Sequence, residues 1–108
     1  MSTQKTSKKT TTTCAISPPL TCTAQQISGG GTVANYDNPV LCTLTPINND
    51  GSLRTAMGLP PPQNKLADMS GTSWSVQFQP PSGLMYFGKY SLTASADSEG
   101  TDSQSCSV

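Results

Sequence analysis

The chain alternates between apolar and polar residues most regularly in two stretches near its C-terminal end, SWSVQF (73–78) and YSLTASA (90–96). In both, every second residue is apolar and the residues between are Ser, Thr or Gln. A period of two residues is typical of antiparallel strands that face a core on one side and water on the other. NPVLCTLTPI (38–47) alternates in the same way between Val40 and Leu44. We therefore predict a core strand in each of these three stretches.

Shorter strand-sized pieces fill the rest of the chain. TCAI (13–16) and LTCTAQQI (20–27) are predicted strands, the second of which ends at the breaker SGGG (28–31). TDSQSCSV (101–108) is predicted as an edge strand. Residues 52–70 are less regular, and within them LRTAM (53–57) is predicted as a short strand or one helical turn. No segment has the apolar period of a core helix. The pattern predicts an all-β antiparallel sandwich of about seven strands.

The N-terminal residues 1–13 differ from the rest and are predicted to form an extended arm before a domain of residues 14–108. They contain Lys5, Lys8 and Lys9 and a run of threonines, but almost no apolar residue. The lysines are candidate contacts to a neighbouring protein subunit, or they belong to a solvated tail. Since no aromatic residue lies between them, a nucleic-acid partner is not expected.

The composition supports strands and turns and excludes several function classes. The chain has 15 Ser, 15 Thr, 9 Gly and 9 Pro, and only 11% of its residues are charged. No apolar run reaches the roughly 18 residues of a membrane span, so membrane insertion is not expected. Histidine is absent, which removes the commonest general base and metal ligand. We therefore expect no enzyme and no cofactor.

Two further groups of residues could carry chemistry. The acids of ADSEGTD (96–102) could bind calcium through carboxylate oxygens, but a solvated hairpin turn is the favoured interpretation. The cysteines are even in number and lack the Cys-x-x-Cys spacing of a zinc site, so disulfides are favoured over a metal. Three complete pairings are possible. The candidate disulfide residues are Cys14, Cys22, Cys42 and Cys106.

The connection PPSGLMYFG (80–88) contains four consecutive apolar residues. They cannot all face one core if the segment is extended, because successive side chains point to opposite sides. The segment either seals the end of the sandwich or leaves part of itself exposed to hold a partner protein. The candidate partner-binding residues are Leu84, Met85, Tyr86 and Phe87.

GKYSLTASADSEG (88–100) resembles the penultimate strand and following turn of immunoglobulin-like sandwich modules of the bacterial and phage type. GTSWSVQF (71–78) is similar to the strand before it in those modules, and NPVLCTL (38–44) to the earlier strand that packs against it. The resemblance covers about 60 of the 108 residues. The residues that match the strand and turn are Gly88, Tyr90, Leu92, Ala94, Asp97 and Gly100.

The resemblance implies several structural details. Tyr90 would pack its ring inward and bond backbone through its hydroxyl group, and Trp74 would anchor the core. Leu92 stands where antibody domains have the second cysteine, so their inter-sheet disulfide is not expected. Because the first and last strands adjoin in such sandwiches, the resemblance favours pairing of Cys106 with Cys14 or Cys22.

The resemblance also implies a function. We expect a non-enzymatic structural accessory module attached to a larger, possibly symmetric, assembly of protein subunits, such as a virion or phage capsid decoration or fibre protein. The alternative is a secreted or cell-surface module for adhesion or carbohydrate binding. The cysteines favour disulfides and therefore an oxidising environment, but the basic N-terminus is not followed by the apolar core of a signal peptide. The expected location is the virion or the extracellular surface.

Overall fold

The computed structural model describes residues 11–108, which form two antiparallel β-sheets packed face to face. The described residues contain no helix. Nine strands lie within residues 11–108, and two of them have only two or three residues. They are β1 Thr13–Ile16, β2 Thr21–Cys22, β3 Ile27–Ala34, β4 Leu41–Pro46, β5 Gln63–Leu66, β6 Asp68–Ser70, β7 Ser73–Phe78, β8 Lys89–Ala96 and β9 Gly100–Ser107.

Each sheet has a simple order. The first sheet runs β9-β8-β4-β5. The second runs β1-β3-β7-β6, and the short β2 also pairs with β3. All pairs are antiparallel. The all-β sandwich predicted from the alternation is therefore confirmed at the level of two packed antiparallel sheets.

The core lies between the sheets and uses the predicted alternation. In β7 and β8 every apolar residue of the pattern is buried and every polar residue between is partly or fully exposed. β4 also buries every second residue from Cys42 to Pro46, and Leu41 on its outward side is exposed. Trp74 is buried, and its indole Nε1 donates a hydrogen bond to the carbonyl of Thr32 at 3.2 Å. One face of each of these strands thus builds the core, as its sequence predicts.

The glycine run is part of a strand, which corrects the prediction that it ends one. β3 passes through Gly29, Gly30 and Gly31 and pairs on both sides. A Cβ on Gly31 would lie 1.8 Å from the carbonyl oxygen of Ala15, and one on Gly30 would lie 2.7 Å from that of Trp74. The neighbouring backbones approach too closely for any side chain. Glycine here serves close packing and not a turn.

The irregular region 52–70 contains two short strands that the sequence did not show. β5 and β6 follow one another with only Ala67 between them, and they belong to different sheets. Ala67 is buried, and its N–H donates to the carbonyl of Val40 at 2.8 Å. The predicted strand or helical turn at 53–57 is neither, since Leu53 makes only an isolated bridge with Ile47. Edge strands of three or four residues with a single apolar residue each leave no periodic signal.

One disulfide joins the sheets at their margin. Cys22 of β2 bonds to Cys106 of β9, with 6.4 Å between their Cα atoms and a sequence separation of 84. Cys14 and Cys42 are free thiols. Of the four candidate cysteines, two therefore form the disulfide and two do not. Leu92 is fully buried in the core.

Candidate functional site: the Arg54 end of the sandwich

The segments that the sequence singled out meet at one end of the sandwich. β4 ends there at Pro46, opposite Tyr90 near the start of β8, and β9 ends beside Lys89. The connections 47–62 and 79–88 therefore lie at this end together with the last residues of the chain. We call it the Arg54 end, after the side chain at its centre.

The predicted partner-binding segment divides between the core and the surface. Tyr86 is only 1% exposed, whereas Met85 is 58% and Phe87 is 43% exposed. Leu84 is half-buried. The segment thus seals the end of the sandwich with Tyr86 and presents Met85 and Phe87 to solvent. Because Tyr86 is buried, it is withdrawn from the predicted partner contacts.

Tyr86 is held at its backbone, its ring and its hydroxyl group. Its N–H donates to the carbonyl of Ala24 at 2.9 Å, and its hydroxyl donates to Oε1 of Gln63 at 2.6 Å. Its ring meets that of Tyr90 edge to face, with 5.3 Å between centroids. Burial raises the pKa of Tyr86 to about 12, against the opposing effect of the Gln63 hydrogen bond. Tyr86 is therefore a structural residue that closes this end of the core.

Arg54 ties the two connections together. Its Nε donates to the carbonyl of Ile47 at 3.1 Å, and its Nη2 donates to the carbonyls of Phe87 at 2.6 Å and Lys89 at 3.1 Å. Hydrogen bonds from a charged donor are stronger than neutral ones. The planar guanidinium group presents its donors in a fixed geometry, which a lysine could not reproduce. Arg54 therefore fixes the backbone on which Phe87 is mounted.

Two aromatic rings and one glycine complete the environment of Arg54. Its guanidinium carbon lies 5.2 Å from the centre of the Phe87 ring and 5.3 Å from that of Tyr90. Both distances are within the range of cation–π attraction. Gly88 has a φ of 81°, and a Cβ there would lie 2.8 Å from Nη2 of Arg54. Glycine at position 88 thus meets a conformational and a steric requirement together.

The resulting surface is apolar and rigidly supported. Besides Met85 and Phe87, Leu53 is 55% exposed beside Arg54, and Val108 is 44% exposed with its N–H bonded to the carbonyl of Gly88. Exposed apolar side chains that lie singly need no explanation, but a group of them on one fixed base is typical of an interaction surface. We call this group the end patch: Leu53, Met85, Phe87 and Val108.

Tyr90 has the position that the resemblance implied. It is 1% exposed, and its hydroxyl oxygen accepts a hydrogen bond from the backbone N–H of Phe87 at 3.1 Å. Arg54, in contrast, has no sequence signal, since it lies in an irregular stretch 33 residues before Phe87. A lone arginine is usually solvated, and only the folded chain brings three carbonyl groups to it.

The acidic turn lies at the opposite end of the sandwich. Asp97 and Ser98 both have positive φ, of 53° and 60°, between the paired strands β8 and β9. This is the geometry of a tight hairpin turn. The Asp97 carboxylate accepts hydrogen bonds from the backbone N–H groups of Asp37 at 2.6 Å and Asn38 at 3.0 Å. Asp97 therefore joins two loops.

The other two acids of this stretch hold the first strand. Glu99 accepts from the N–H of Thr12 at 3.0 Å, and Asp102 accepts from the N–H of Ile16 at 2.8 Å. These carboxylates take the place of a backbone ladder between β1 and the edge strand β9. Thr12 is already buried, so the folded part begins slightly before the predicted boundary at residue 14. Residues 11–108 contain no group of three acidic, cysteine or histidine side chains placed to hold a metal.

Of the two free thiols, Cys42 is buried in the core and Cys14 is half-buried against it. Burial raises the pKa of Cys42 to about 12, with a smaller effect from Cys14. Burial, followed by the charge of Asp102, raises the pKa of Cys14. Because a thiol reacts as its thiolate, neither residue is activated. Lys5, Lys8 and Lys9, the remaining predicted contacts, lie outside the described residues. Nothing between Thr11 and Val108 forms a helix long and apolar enough to cross a membrane.

Comparison with known proteins provides no relative. No family model, no curated protein and no solved structure matches the chain.

Proposed function

We propose that the chain is an immunoglobulin-like module. The support is the strand order, because β1-β3-β7-β6 corresponds to strands A, B, E and D of that fold and β9-β8-β4-β5 to G, F, C and C′. The buried Tyr90, with its hydroxyl group bonded to backbone, is a second point of agreement. The short β2 and the C′ strand β5 account for the excess over the predicted seven.

Its proposed function is that of a non-enzymatic accessory module that is attached to a larger assembly through the end patch. The single observation that carries this is the exposure of Met85 and Phe87 on a base fixed by Arg54. Methionine and aromatic residues are enriched in protein interfaces. A rigid base reduces the conformational entropy that is lost on binding, so more of the contact free energy appears as affinity.

A virion or phage particle is the assembly we propose, with the chain as a decoration or fibre protein on its surface. The support is the resemblance of the strand from Lys89 to Ala96, with its turn, to modules of that kind. The basic residues Lys5, Lys8 and Lys9 would make a second contact with a neighbouring subunit. In this arrangement the end patch faces the particle.

The test is the size of the native complex. The chain, recovered from its natural source without denaturation, should elute with a large assembly in size-exclusion chromatography. The variant Met85→Ser/Phe87→Ser should elute as the free domain. Leu66→Ser is the matched control, because Leu66 is 58% exposed on β5 and belongs to no part of the end patch. Elution of the unmodified chain as a free domain would rule out the proposed function.

A polar groove on the second sheet supports the alternative of carbohydrate binding. It has a volume of about 470 Å³ and a floor formed in part by Gly29 and Gly30. Its polar side chains make no hydrogen bond with any other part of the described chain, so they are free to bond sugar hydroxyl groups. They are Thr21, Ser28, Asp68, Ser75 and Gln77.

The groove is tested separately from the end patch. Binding to an array of neutral glycans should be lost in Gln77→Ala and retained in Phe87→Ser. Gln77 is exposed on β7, so its truncation leaves the core intact. An array without any bound glycan would exclude this alternative.

A further inference from the structure

A cleft of about 230 Å³ opens beside the end patch and is distinct from it. Its walls come from the turn after β4 and from the start of β8. The turn supplies the amide side chain of Asn49, and the β8 side supplies Gly88 and Lys89. Arg54 lies between the two walls. Polar and cationic groups from three segments thus converge on one small space.

The cations of the folded domain are concentrated at this cleft. Between residues 11 and 108 there are three cationic side chains, and two of them, Arg54 and Lys89, line it. Neither has a carboxylate partner within the part of the chain that the structure describes. Three of the six acids lie instead in the loops of the opposite end: Asp37, Asp97 and Glu99. The sandwich therefore has an acidic end and an end with two unpaired cations.

Arg54 is preorganised and retains donors for a ligand. Three of its five N–H groups are used by the carbonyls of Ile47, Phe87 and Lys89. The two on Nη1 have no acceptor among residues 11–108. Because the guanidinium group is already fixed, a ligand would not have to order it.

The nearest acid along the chain does not occupy the cleft. The carboxylate of Asp50 accepts hydrogen bonds from the N–H of Ser52 at 2.9 Å and from its hydroxyl at 2.6 Å, and these bonds lower its pKa. Asp50 is not among the lining residues. A charged ligand would therefore meet two cations and Asn49, since the Nδ2 group of Asn48 already donates to Ser52 and to the carbonyl of Leu53.

We propose that this cleft binds a carboxylate group of the partner protein, and that the carboxylate lies next to the apolar contact made by Phe87. This rests on the proposed function, since it takes the partner to be a protein. The partner segment that fits has an Asp or Glu side chain, or a chain terminus, beside an apolar residue. The apolar contact gives area, and the charged contact fixes the orientation.

The carboxylate site can be tested without the partner, with acetate as the probe. Titration with acetate should shift the backbone amide resonances of Asn49, Gly88 and Lys89 in a saturable manner. Sodium chloride at matched ionic strength is the reference for simple screening, which acts on all exposed charges. Inorganic phosphate is the competing probe. Saturation by phosphate without saturation by acetate would overturn the carboxylate assignment.

Two lysine variants separate a local site from a general effect of charge. Lys89→Gln should weaken acetate binding about 1.5- to fivefold, the range expected for one exposed ion pair. Lys65 lies on β5, and its ammonium group donates to the carbonyl of Gln77. Lys65→Gln removes the same charge at this distant position and should bind acetate like the unmodified chain. Equal weakening in both variants, or no saturable shift in the unmodified chain, would overturn the proposal.

Failure of this inference and failure of the proposed function give different results. If acetate does not bind but the chain still elutes with its assembly, the end patch alone makes the contact and the carboxylate site is wrong. If acetate binds but the chain elutes as a free domain, the accessory function is wrong. In that case the assignment of a protein partner to the cleft falls with it.

Discussion

Loss of the Cys22–Cys106 disulfide should be the largest change in stability that a single bond of this domain can produce. The bond closes a loop with a sequence separation of 84 residues. Breaking the disulfide leaves the contacts of the folded state in place and raises the conformational entropy of the unfolded chain. The double variant Cys22→Ser/Cys106→Ser, or reduction of the unmodified protein, makes this change.

The magnitude follows from the length of the loop. The chain-entropy relation gives about 4.6 kcal/mol at 25 °C for a loop of this size, within a usual range of about 2–5 kcal/mol. With an unfolding entropy of about 2.1 cal/mol/K per residue, the melting temperature should fall by about 20 °C. A small domain has about 5–15 kcal/mol of stability in total, so this is a large part of it.

The location of the bond explains why little else can replace it. Cys22 belongs to a two-residue strand that pairs only with β3, and Cys106 lies on the edge strand β9. Both are half-buried against the core. Without the bond, the second strand is held to the last strand by packing alone.

The assay is urea unfolding followed by circular dichroism. Reduction of the unmodified protein keeps both sulfur atoms, so the stability lost on reduction is the contribution of the cross-link. Any further loss of stability in the double variant is the contribution of sulfur packing. The denaturant slope should rise on reduction, because the unfolded chain expands. A loss below about 1 kcal/mol on reduction, well under the range for native disulfides, would refute the reasoning. So would a peptide map that pairs Cys22 or Cys106 with Cys14 or Cys42.

Three further predictions concern single positions. Gly31→Ala should lower the free energy of unfolding by at least about 2 kcal/mol in a urea titration, because its Cβ would lie 1.8 Å from the Ala15 carbonyl oxygen and force β1 and β3 apart. A decrease under about 0.5 kcal/mol, typical of an uncrowded surface site, would contradict the close approach. Ser98→Gly should stabilise the domain by about 1 kcal/mol, since Ser98 has a φ of 60°, a left-handed conformation that glycine adopts without strain. An unchanged or lowered urea midpoint would argue against that conformation. The free energy of unfolding should fall as pH rises above about 9. The unfolded chain then loses the Cys42 proton, whereas in the folded chain the pKa of Cys42 is about 12. Tyr86, whose pKa in the folded chain is also about 12, adds to this loss above pH 10. The slope per group should reach at most about 1.4 kcal/mol per pH unit, and Cys42→Ala should flatten it; an unchanged slope would show that Cys42 is not protected.

The sequence predicts most where one strand face is buried. The alternation in β4, β7 and β8 identifies both their extent and their inward residues, because a strand that is wet on one side must repeat every two residues. The same rule fails for β5 and β6. These edge strands bury only Gln63 and Met69, each in part, so no period marks them.

Glycine is the clearest case in which local preference misleads. SGGG is a breaker by composition, yet β3 runs through it because its neighbours lie too close for side chains. The reason is tertiary, since the close approach is made by Ala15 and Trp74, which are remote in sequence. The choice of Cys22 over Cys14 as the partner of Cys106 has the same origin.

For PPSGLMYFG the sequence alone determines that four consecutive apolar residues cannot share one core. Only the tertiary structure decides that Tyr86 enters it and that Met85 and Phe87 stay outside. The period of two belongs to the local backbone and can be read from adjacent residues. The position of Arg54, which fixes Phe87, depends on three carbonyl groups that only the closed sandwich brings together.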